Sequence, residues 1–275
     1  MNTSAIRDIL AAAVLAAAVC QSGCVLPEPK AWTPAEAQIE ANRRQLMVAG
    51  EKLSYTIRSG IFILGQAQLV IKASEKNPEN LDLVLLANST HPWLPSLSYS
   101  YRSTVAPDDL ATLAFEMEET EKSEIKKSVT FLPDYTTQTA EYTRTRRRAT
   151  TRSTLAFEGR VHDYISLLYL LRKDLPAVGD QRRMTVFNED ALVDVSVKNL
   201  ASRELVLAGV GKFKAFILKP KRALEGIFFS RRDILVWIDE TYHIPIRIVI
   251  KLPFRTATID LVKAENTQTG KTLFQ

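Results

Sequence analysis

Hydrophobic and polar positions alternate along most of the chain after residue 50. In the first such run, Leu53, Tyr55 and Ile57 occupy every second position and polar side chains stand between them. This period is typical of strands with one buried and one solvated face. Turn residues such as Ser59-Gly60 separate the runs. The pattern predicts strands at residues 51–58, 61–73, 81–87, 97–105, 111–117, 125–131, 137–143, 151–157, 183–187, 192–197, 204–210, 212–218, 234–238, 244–252 and 255–262.

Two segments depart from this alternation and predict helices. Residues 33–49 begin with Thr33, which can cap a helix, and Pro34, which suits its first turn. This helix is expected to stop at Gly50. In residues 161–173 aliphatic side chains crowd together after Asp163, so this second helix should be short and mostly buried.

These elements predict a mainly β fold. We expect an antiparallel meander that forms a strongly curved sheet or an open or closed barrel, with an N-terminal helix and one internal buried helix. A flat sheet of so many strands would leave exposed edges, and curvature around the buried helix limits them. Residues 50–265 are expected to form a single β-rich domain with a concave pocket, and residues 266–275 a loose tail.

The N-terminal segment has the parts of a lipoprotein signal peptide. A polar head is followed by an apolar run at residues 9–19, which is too short for a membrane span of ~20 residues, and by Ser22-Gly23 directly before Cys24. We therefore predict that residues 1–23 are removed, that Cys24 carries a lipid anchor and that residues 24–32 form a tether. Cys20 is a rival site, but Val19 is a poor residue to precede the cut.

The anchor and the composition together restrict location and partners. Val25 stands where an Asp would resemble the inner-membrane retention signal of enteric bacteria, so we expect a periplasmic face and favour the outer membrane over the inner. The two cysteines of the chain are Cys20 and Cys24, so a mature body would have no disulfide. A net charge of +5 suits anionic partners such as lipid head groups or glycans. Nucleic acid is disfavoured by the compartment.

The first basic region is a candidate site for anionic groups. Arg144, Arg146 and Arg148 alternate, so a strand would present them on one face. Arginine binds phosphate and carboxylate groups in bidentate fashion, which would make a docking strip. The alternative is a solvated strand edge whose charge discourages aggregation.

A second basic region surrounds the apolar residues 226–229. Lys219, Arg231 and Arg232 flank this segment, as basic residues flank an apolar hairpin tip on an anionic membrane. A charged loop around a buried Phe is the alternative interpretation.

Aromatic residues and histidines complete the candidate chemistry. Trp93, Tyr99 and Tyr101 would suit the mouth of a pocket for sugars or acyl chains, although strand aromatics often belong to the core. The three histidines, His91, His162 and His243, lie far apart without metal-ligand spacing. Because the sequence also lacks catalytic motifs such as Gly-x-Ser-x-Gly, we expect no catalytic residue, metal or cofactor.

Short motifs in the correct order resemble those of the domain of unknown function 3108 family. Residues 50–55 resemble its first strand, residues 163–172 its internal helix, and residues 226–228 and 236–239 its C-terminal half. The resemblance covers roughly residues 48–265. It implies a secreted or periplasmic β-rich domain, and it implies no established activity.

The expected function is that of a non-enzymatic, membrane-anchored lipoprotein that binds an amphiphile or glycan in cell-envelope assembly or transport. The alternatives are an accessory subunit of an envelope protein complex without a small ligand, and a hydrolase of envelope material. Unfilled space on the concave face would favour the first. A filled interior with an exposed apolar edge would favour the second, and polar groups clustered around a histidine the third.

Overall fold

The structure is a computed structural model that describes residues 47–222, 233–252 and 255–274. Within these residues, sixteen strands form one sheet around the helix α1 (Tyr164–Lys173). The strands are β1 (Glu51–Ser59), β2 (Phe62–Ala73), β3 (Leu81–Ser89), β4 (Leu97–Val105), β5 (Thr112–Glu121), β6 (Glu124–Asp134), β7 (Thr139–Arg146), β8 (Ala149–Ala156), β9 (Val161–His162), β10 (Gln181–Phe187), β11 (Leu192–Leu207), β12 (Gly211–Arg222), β13 (Asp233–Asp239), β14 (Pro245–Leu252), β15 (Arg255–Asn266) and β16 (Lys271–Phe274).

Two meanders make up the sheet. The strands β1 to β8 pair consecutively, the strands β9 to β15 pair consecutively, and β1 pairs with β15 to join the two sets. All pairs are antiparallel except β9–β10, which run parallel. Since β8 and β9 end the strand order, the ladder is not closed into a barrel within the described residues. The predicted fold class, a mainly β curved sheet, is confirmed.

The alternation seen in the sequence determines which face is buried. In β1, Leu53, Tyr55 and Ile57 are buried and the side chains between them are only half-buried. The buried faces of both meanders form one continuous core with α1. Burial on almost every side of the helix confirms the predicted internal helix. It begins at Tyr164 because Val161 and His162 first pair with β10.

A seam of side chains holds the two ends of the sheet together. Phe187 of β10 stacks on Phe131 of β6 with ring centroids 4.0 Å apart. Beside this stack, Lys127 pairs with Glu189, and Arg144 donates to Asp190 over 2.9 Å. We call the residues Lys127, Phe131, Arg144, Phe187, Glu189 and Asp190 the seam. The interior is therefore enclosed on this side by side chains rather than by backbone pairing.

Three predicted boundaries need comment. The predicted helix at residues 33–49 lies outside the described residues except for residues 47–49, which form bends and a turn. The predicted strands 192–197 and 204–210 are one strand, β11, because Asn199 is accommodated at a bulge and donates its amide to the Pro176 carbonyl over 2.9 Å. The prediction of a loose tail is wrong for residues 271–274, which form β16. Asn266 caps the preceding turn by accepting from two backbone N–H groups.

Candidate functional site

A small apolar cavity separates α1 from the concave face of the sheet. Tyr55, Ala67 and Ala87 line its sheet side, and Ile165 and Leu168 line its helix side. Its volume is about 30 Å³, which is room for roughly one or two water molecules. Pockets for drug-sized ligands measure about 300–1,000 Å³. The interior is thus mostly filled, with residual space where two alanines face the helix.

The N-terminal end of α1 is fixed by a buried carboxylate. Asp163 caps the helix, and its Oδ1 accepts from the backbone N–H of Ile165 and Ser166 over 2.8 and 3.2 Å. Its Oδ2 accepts from the hydroxyl of Ser103 and from that of Thr112, the latter over 2.7 Å. Each donor is neutral, so this anion is stabilised by hydrogen bonds alone.

Two neighbouring side chains complete this polar cluster. His162 is buried and its Nδ1 donates to the Leu110 carbonyl over 3.0 Å. Burial lowers the pKa of His162 although that hydrogen bond opposes the shift. Tyr135 lies with its hydroxyl 2.8 Å from the Thr112 carbonyl and 3.2 Å from that of Val161, and burial raises its pKa to about 12. Both shifts favour the uncharged forms, so His162 and Tyr135 are neutral at physiological pH.

The C-terminal end of α1 is fixed by a buried ion pair. Arg172 donates from both terminal nitrogens to the two carboxylate oxygens of Glu51, each over 2.6 Å. Both side chains are fully inaccessible to solvent. The Tyr169 hydroxyl donates to Glu51 over 3.1 Å, and Nε of Arg172 donates to the His243 carbonyl over 2.9 Å. Helix α1 is therefore tied to β1 and to the β13–β14 turn.

The charges of this pair stabilise each other. Burial alone would lower the pKa of Arg172, but the Glu51 carboxylate more than offsets it and leaves that pKa raised. The guanidinium also lies over the Tyr169 ring, 4.6 Å from its centroid. Burial and the Glu51 charge both raise the pKa of Tyr169, so its hydroxyl stays protonated as a donor. The helix thus has two polar anchors, at Asp163 and at Arg172–Glu51, with an apolar surface between them.

Comparison with known families identifies the chain. The family model for protein of unknown function DUF3108 matches residues 54–262, well over half of the sequence. The chain belongs to the DUF3108 family. A search of curated proteins finds no match. The predicted resemblance to this family is therefore confirmed.

One solved structure shares the fold of this DUF3108 chain, and two others are less similar. A β-barrel-like protein of the domain of unknown function DUF1849 from Brucella abortus has 12% identity and a TM-score of 0.55, covering 80% of this chain and 99% of that one. A candidate exported protein with a YmcC-like fold from Bacteroides fragilis has 9% identity and a TM-score of 0.37, covering 79% and 96%. A candidate lipoprotein from Parabacteroides distasonis has 7% identity and a TM-score of 0.32, with the same coverage.

The first basic region of the DUF3108 chain is split by a turn. Arg144 and Arg146 lie in β7, whereas Arg148 forms the two-residue turn to β8 together with Arg147. Both turn residues have positive φ, 49° and 71°, as a tight hairpin of this length requires. The prediction of three arginines on one strand face is therefore wrong. Arg144 contributes to the seam, and Arg146 to Arg148 are exposed at a hairpin tip.

The second basic region is described only in part. Lys219 lies half-buried in β12, directly opposite Lys198 of β11. Arg231 and Arg232 lie outside the described residues. Because β12 pairs with β11 and β13, strand pairing does not place Lys219 beside the cavity or the first basic region.

Of the predicted pocket aromatics, Trp93 lies apart from Tyr99 and Tyr101. Tyr99 and Tyr101 are almost fully buried in β4, with ring centroids 6.4 Å apart, while Trp93 is 85% exposed in the β3–β4 loop. Strand alternation turns both tyrosines into the core, and the loop turns Trp93 outward. The prediction of a shared pocket mouth is wrong. The Tyr101 hydroxyl, though buried, has no hydrogen-bond partner among the described residues.

The histidines lie in three separate environments. His91 stands beside Trp93, His162 belongs to the cluster of Asp163, and His243 contacts Arg172 in the β13–β14 turn. Within the described residues, no group of three or more His, Cys, Asp or Glu side chains could hold a metal ion. No helix of the described part is long and apolar enough to cross a bilayer.

Sequence reasoning missed the ion pair of Glu51 and Arg172. The two residues are separated by 121 positions, so no local pattern joins them. The available signal was Arg172 itself, a charged side chain at the end of a helix expected to be buried. A charge in such a place needs a partner.

Proposed function

We propose that this DUF3108 protein is a membrane-anchored lipoprotein of the cell envelope that binds a single acyl chain of an amphiphile between α1 and the concave sheet. The observation that supports this most directly is the apolar cavity beneath Ile165 and Leu168. In its resting size the cavity cannot hold an acyl chain. Binding therefore requires α1 and the sheet to separate.

The open strand order supports such a separation. The seam joins the ends of the sheet by side chains alone, so widening the interior need not break a backbone ladder in the described residues. Exposed ion pairs like that of Arg144 contribute little, about 0–1 kcal/mol. The main resistance is the stack of Phe187 on Phe131, and an apolar ligand would replace that contact with one of its own.

The buried tyrosine of β4 suits the polar end of the ligand. Tyr101 pairs in register with Leu85, a residue that lines the cavity. Burial raises the pKa of Tyr101, so its hydroxyl remains a donor. An ester or carboxyl oxygen at this place would accept the hydrogen bond that the described residues leave unmade.

A fatty-acid binding assay tests the proposal. We would measure the binding of the fluorescent fatty acid parinaric acid to the protein purified from membranes and compare it with Ala87→Val. The added methyl groups occupy the cavity, and an overpacked site costs about 1–3 kcal/mol, so binding should weaken roughly tenfold or more. The matched control is Asn88→Val, the next residue of β3, which points outward.

Two outcomes would contradict the acyl-chain site. One is binding to Ala87→Val that equals binding to the unchanged protein. The other is an absence of parinaric acid binding together with no lipid retained in native mass spectrometry. Tyr101→Phe should weaken binding by a smaller factor, because it removes one hydrogen bond and leaves the apolar surface intact.

The lipid anchor is tested separately. Mass spectrometry of the N-terminal peptide should show acylated Cys24 at the first position, and Cys24→Ser should release the protein from membranes. Fractionation of inner and outer membranes should place the protein mainly in the outer one. An unmodified Cys24 would contradict this part of the proposal and leave the acyl-chain site standing.

A second candidate function rests on the edge of the sheet. The outer edge of β8 has no paired strand among the described residues, and its side chains are exposed apart from Leu155, which is half-buried. An exposed edge of this kind can pair with a strand from another protein. An accessory subunit would crosslink to one envelope protein through a photoreactive residue at Ser153, and not through one at Asn88.

A further inference from the structure

One end of the sheet gathers exposed apolar hairpin tips. Since consecutive strands of the first meander are antiparallel, every second connection lies at the same end. The β1–β2, β3–β4, β5–β6 and β7–β8 connections therefore share one rim. We define the hairpin rim by Ile61, Phe62, Trp93, Ile125 and the three arginines 146–148.

The apolar part of the rim projects into solvent. The side chain of Ile61 is 87% exposed, that of Ile125 is 60% exposed and that of Phe62 is 48% exposed. The rings of Phe62 and His91 lie 5.9 Å apart, and those of His91 and Trp93 5.3 Å apart. These contacts show that the tips of two hairpins form one patch. Clustered apolar side chains of this kind mark interaction sites, whereas isolated ones do not.

The same rim carries a basic turn in which both residues have a positive φ. Arg147 and Arg148 both adopt positive φ, at positions where Asn and Gly are preferred. Such a backbone is unfavourable for each residue with a side chain. Arg146, directly before them, is also exposed. The chain thus holds three adjacent arginines in the most projecting part of a hairpin at a cost to its own stability.

Charges at the two ends of the sheet differ. Three acidic residues near the rim, Glu124, Glu189 and Asp190, are engaged in ion pairs with Lys126, Lys127 and Arg144. At the opposite end, the exposed charges of the β2–β3 and β4–β5 turns are mixed, with Glu75, Glu79 and Asp108 beside Lys76. A negative surface would therefore attract the rim more strongly than these two turns.

We propose that the hairpin rim docks onto the surface of an anionic phospholipid bilayer. Ile61, Phe62 and Trp93 enter the interface, where Trp and aliphatic side chains are stabilised. The three arginines 146–148 contact lipid phosphates, and each contributes attraction to an anionic leaflet. Docking of this kind is distinct from the acyl-chain site and does not depend on a ligand in the interior.

Tryptophan quenching tests the docking. The chain has three tryptophans, so the double variant Trp32→Phe/Trp237→Phe leaves Trp93 as the sole reporter. The full chain, purified from membranes, is reconstituted into vesicles of phosphatidylcholine, or of phosphatidylcholine with phosphatidylglycerol, whose acyl chains are brominated. We expect strong quenching of Trp93 only in the vesicles that contain phosphatidylglycerol.

Two variants make the result specific. Arg146→Ser/Arg147→Asn/Arg148→Gly removes the charge while giving the turn the residues it prefers, so the fold is retained. The ratio of docked to undocked protein should then fall roughly a hundredfold, given the attraction lost with three basic residues. A matched reporter, Glu79→Trp in a background with all three native tryptophans replaced by Phe, should stay unquenched.

Three results would overturn the proposal. They are unquenched Trp93 in the anionic vesicles, equal quenching in both lipid compositions, and equal quenching of the reporter at position 79. Flotation of the vesicles reports the N-terminal anchor independently, and parinaric acid reports the interior. A failure of the rim can therefore be told apart from a failure of the anchor or of the acyl-chain site.

Discussion

The two ends of helix α1 are fixed by opposite kinds of chemistry. At its start, the Asp163 carboxylate is surrounded by backbone N–H groups and hydroxyls without a countercharge. At its finish, the Arg172 guanidinium meets the Glu51 carboxylate in two parallel hydrogen bonds, fully out of solvent. Neutral donors can be rearranged or replaced one at a time. Removal of either member of a buried charge pair leaves the other charge buried without a partner, which strongly destabilises the fold.

The difference bears on how the helix could move. The hydroxyls of Ser103 and Thr112 come from β4 and β5, so the first anchor joins α1 to the first meander. The second joins α1 to β1 and to the β13–β14 turn. Separating helix and sheet would cost least at the end where the bonds are neutral. We therefore expect the start of α1 to yield before its finish.

The largest effect is expected for Arg172→Met. This variant leaves the Glu51 carboxylate buried without its partner and should lower the free energy of unfolding by about 3–5 kcal/mol in urea titrations. The matched control is Lys173→Met, an exposed neighbour, which should change it by less than about 1 kcal/mol. The double variant Glu51→Gln/Arg172→Met should recover most of the loss, and no recovery would contradict the ion-pair assignment.

A smaller loss is expected for Asp163→Ala. The variant removes the helix cap, about 0.5–2 kcal/mol, and deprives two buried hydroxyls of their acceptor, so a total of about 2–4 kcal/mol follows. Urea unfolding measures it under the same conditions. A loss larger than that of Arg172→Met would reverse the order of the two anchors.

Acid should weaken the first anchor through its neighbour. Because burial lowers the pKa of His162, the folded protein binds fewer protons than the unfolded chain just below the ordinary histidine pKa of about 6.5. Stability should therefore fall as the pH falls from 7 to 5, as melting temperatures would show. His162→Asn, whose amide can still donate to the Leu110 carbonyl, should flatten this slope, and an unchanged slope would refute the assignment.

The smallest effect is expected for Asp163→Asn. Asparagine is also a good helix cap, and the hydroxyls of Ser103 and Thr112 can turn to accept from its amide. The loss should stay below about 1 kcal/mol, in contrast to the loss at Arg172. A loss equal to that of Asp163→Ala would show that the negative charge itself is required.

Strand positions were predictable where one face is buried and the other is wet. β4 occupies residues 97–105 as its alternation predicts, because a half-buried strand carries its period in its own sequence. The pairing of β1 with β15 joins residues about two hundred positions apart, and no local pattern encodes it. For a similar reason the bulge at Asn199 was not predictable, since its amide nitrogen donates to the distant Pro176 carbonyl.

The candidate site was predictable only in part. The helix and its Asp163 cap follow from local rules, and the sequence indicates both. The cavity depends on Ala67 and Ala87 being side by side in two strands, which requires the register of the sheet. The exposure of Trp93 and the burial of Tyr99 likewise follow from where β4 begins.

The position of Glu51 at the start of β1 sets the length that the preceding segment must span. β1 starts at the end of the sheet opposite the hairpin rim, so a chain held at Cys24 and docked through the rim must run back along the body. The distance from the start of β1 to the rim is about 30 Å, since the nine-residue strand β1 rises about 3.3 Å per residue. Residues 25–46 reach roughly 75 Å when extended, and roughly 50 Å with residues 33–46 in the helix that the sequence predicts. If residues 33–46 form the helix that the sequence predicts, deletion of residues 25–32 would leave about 20 Å, which is too short to bring the rim to the membrane.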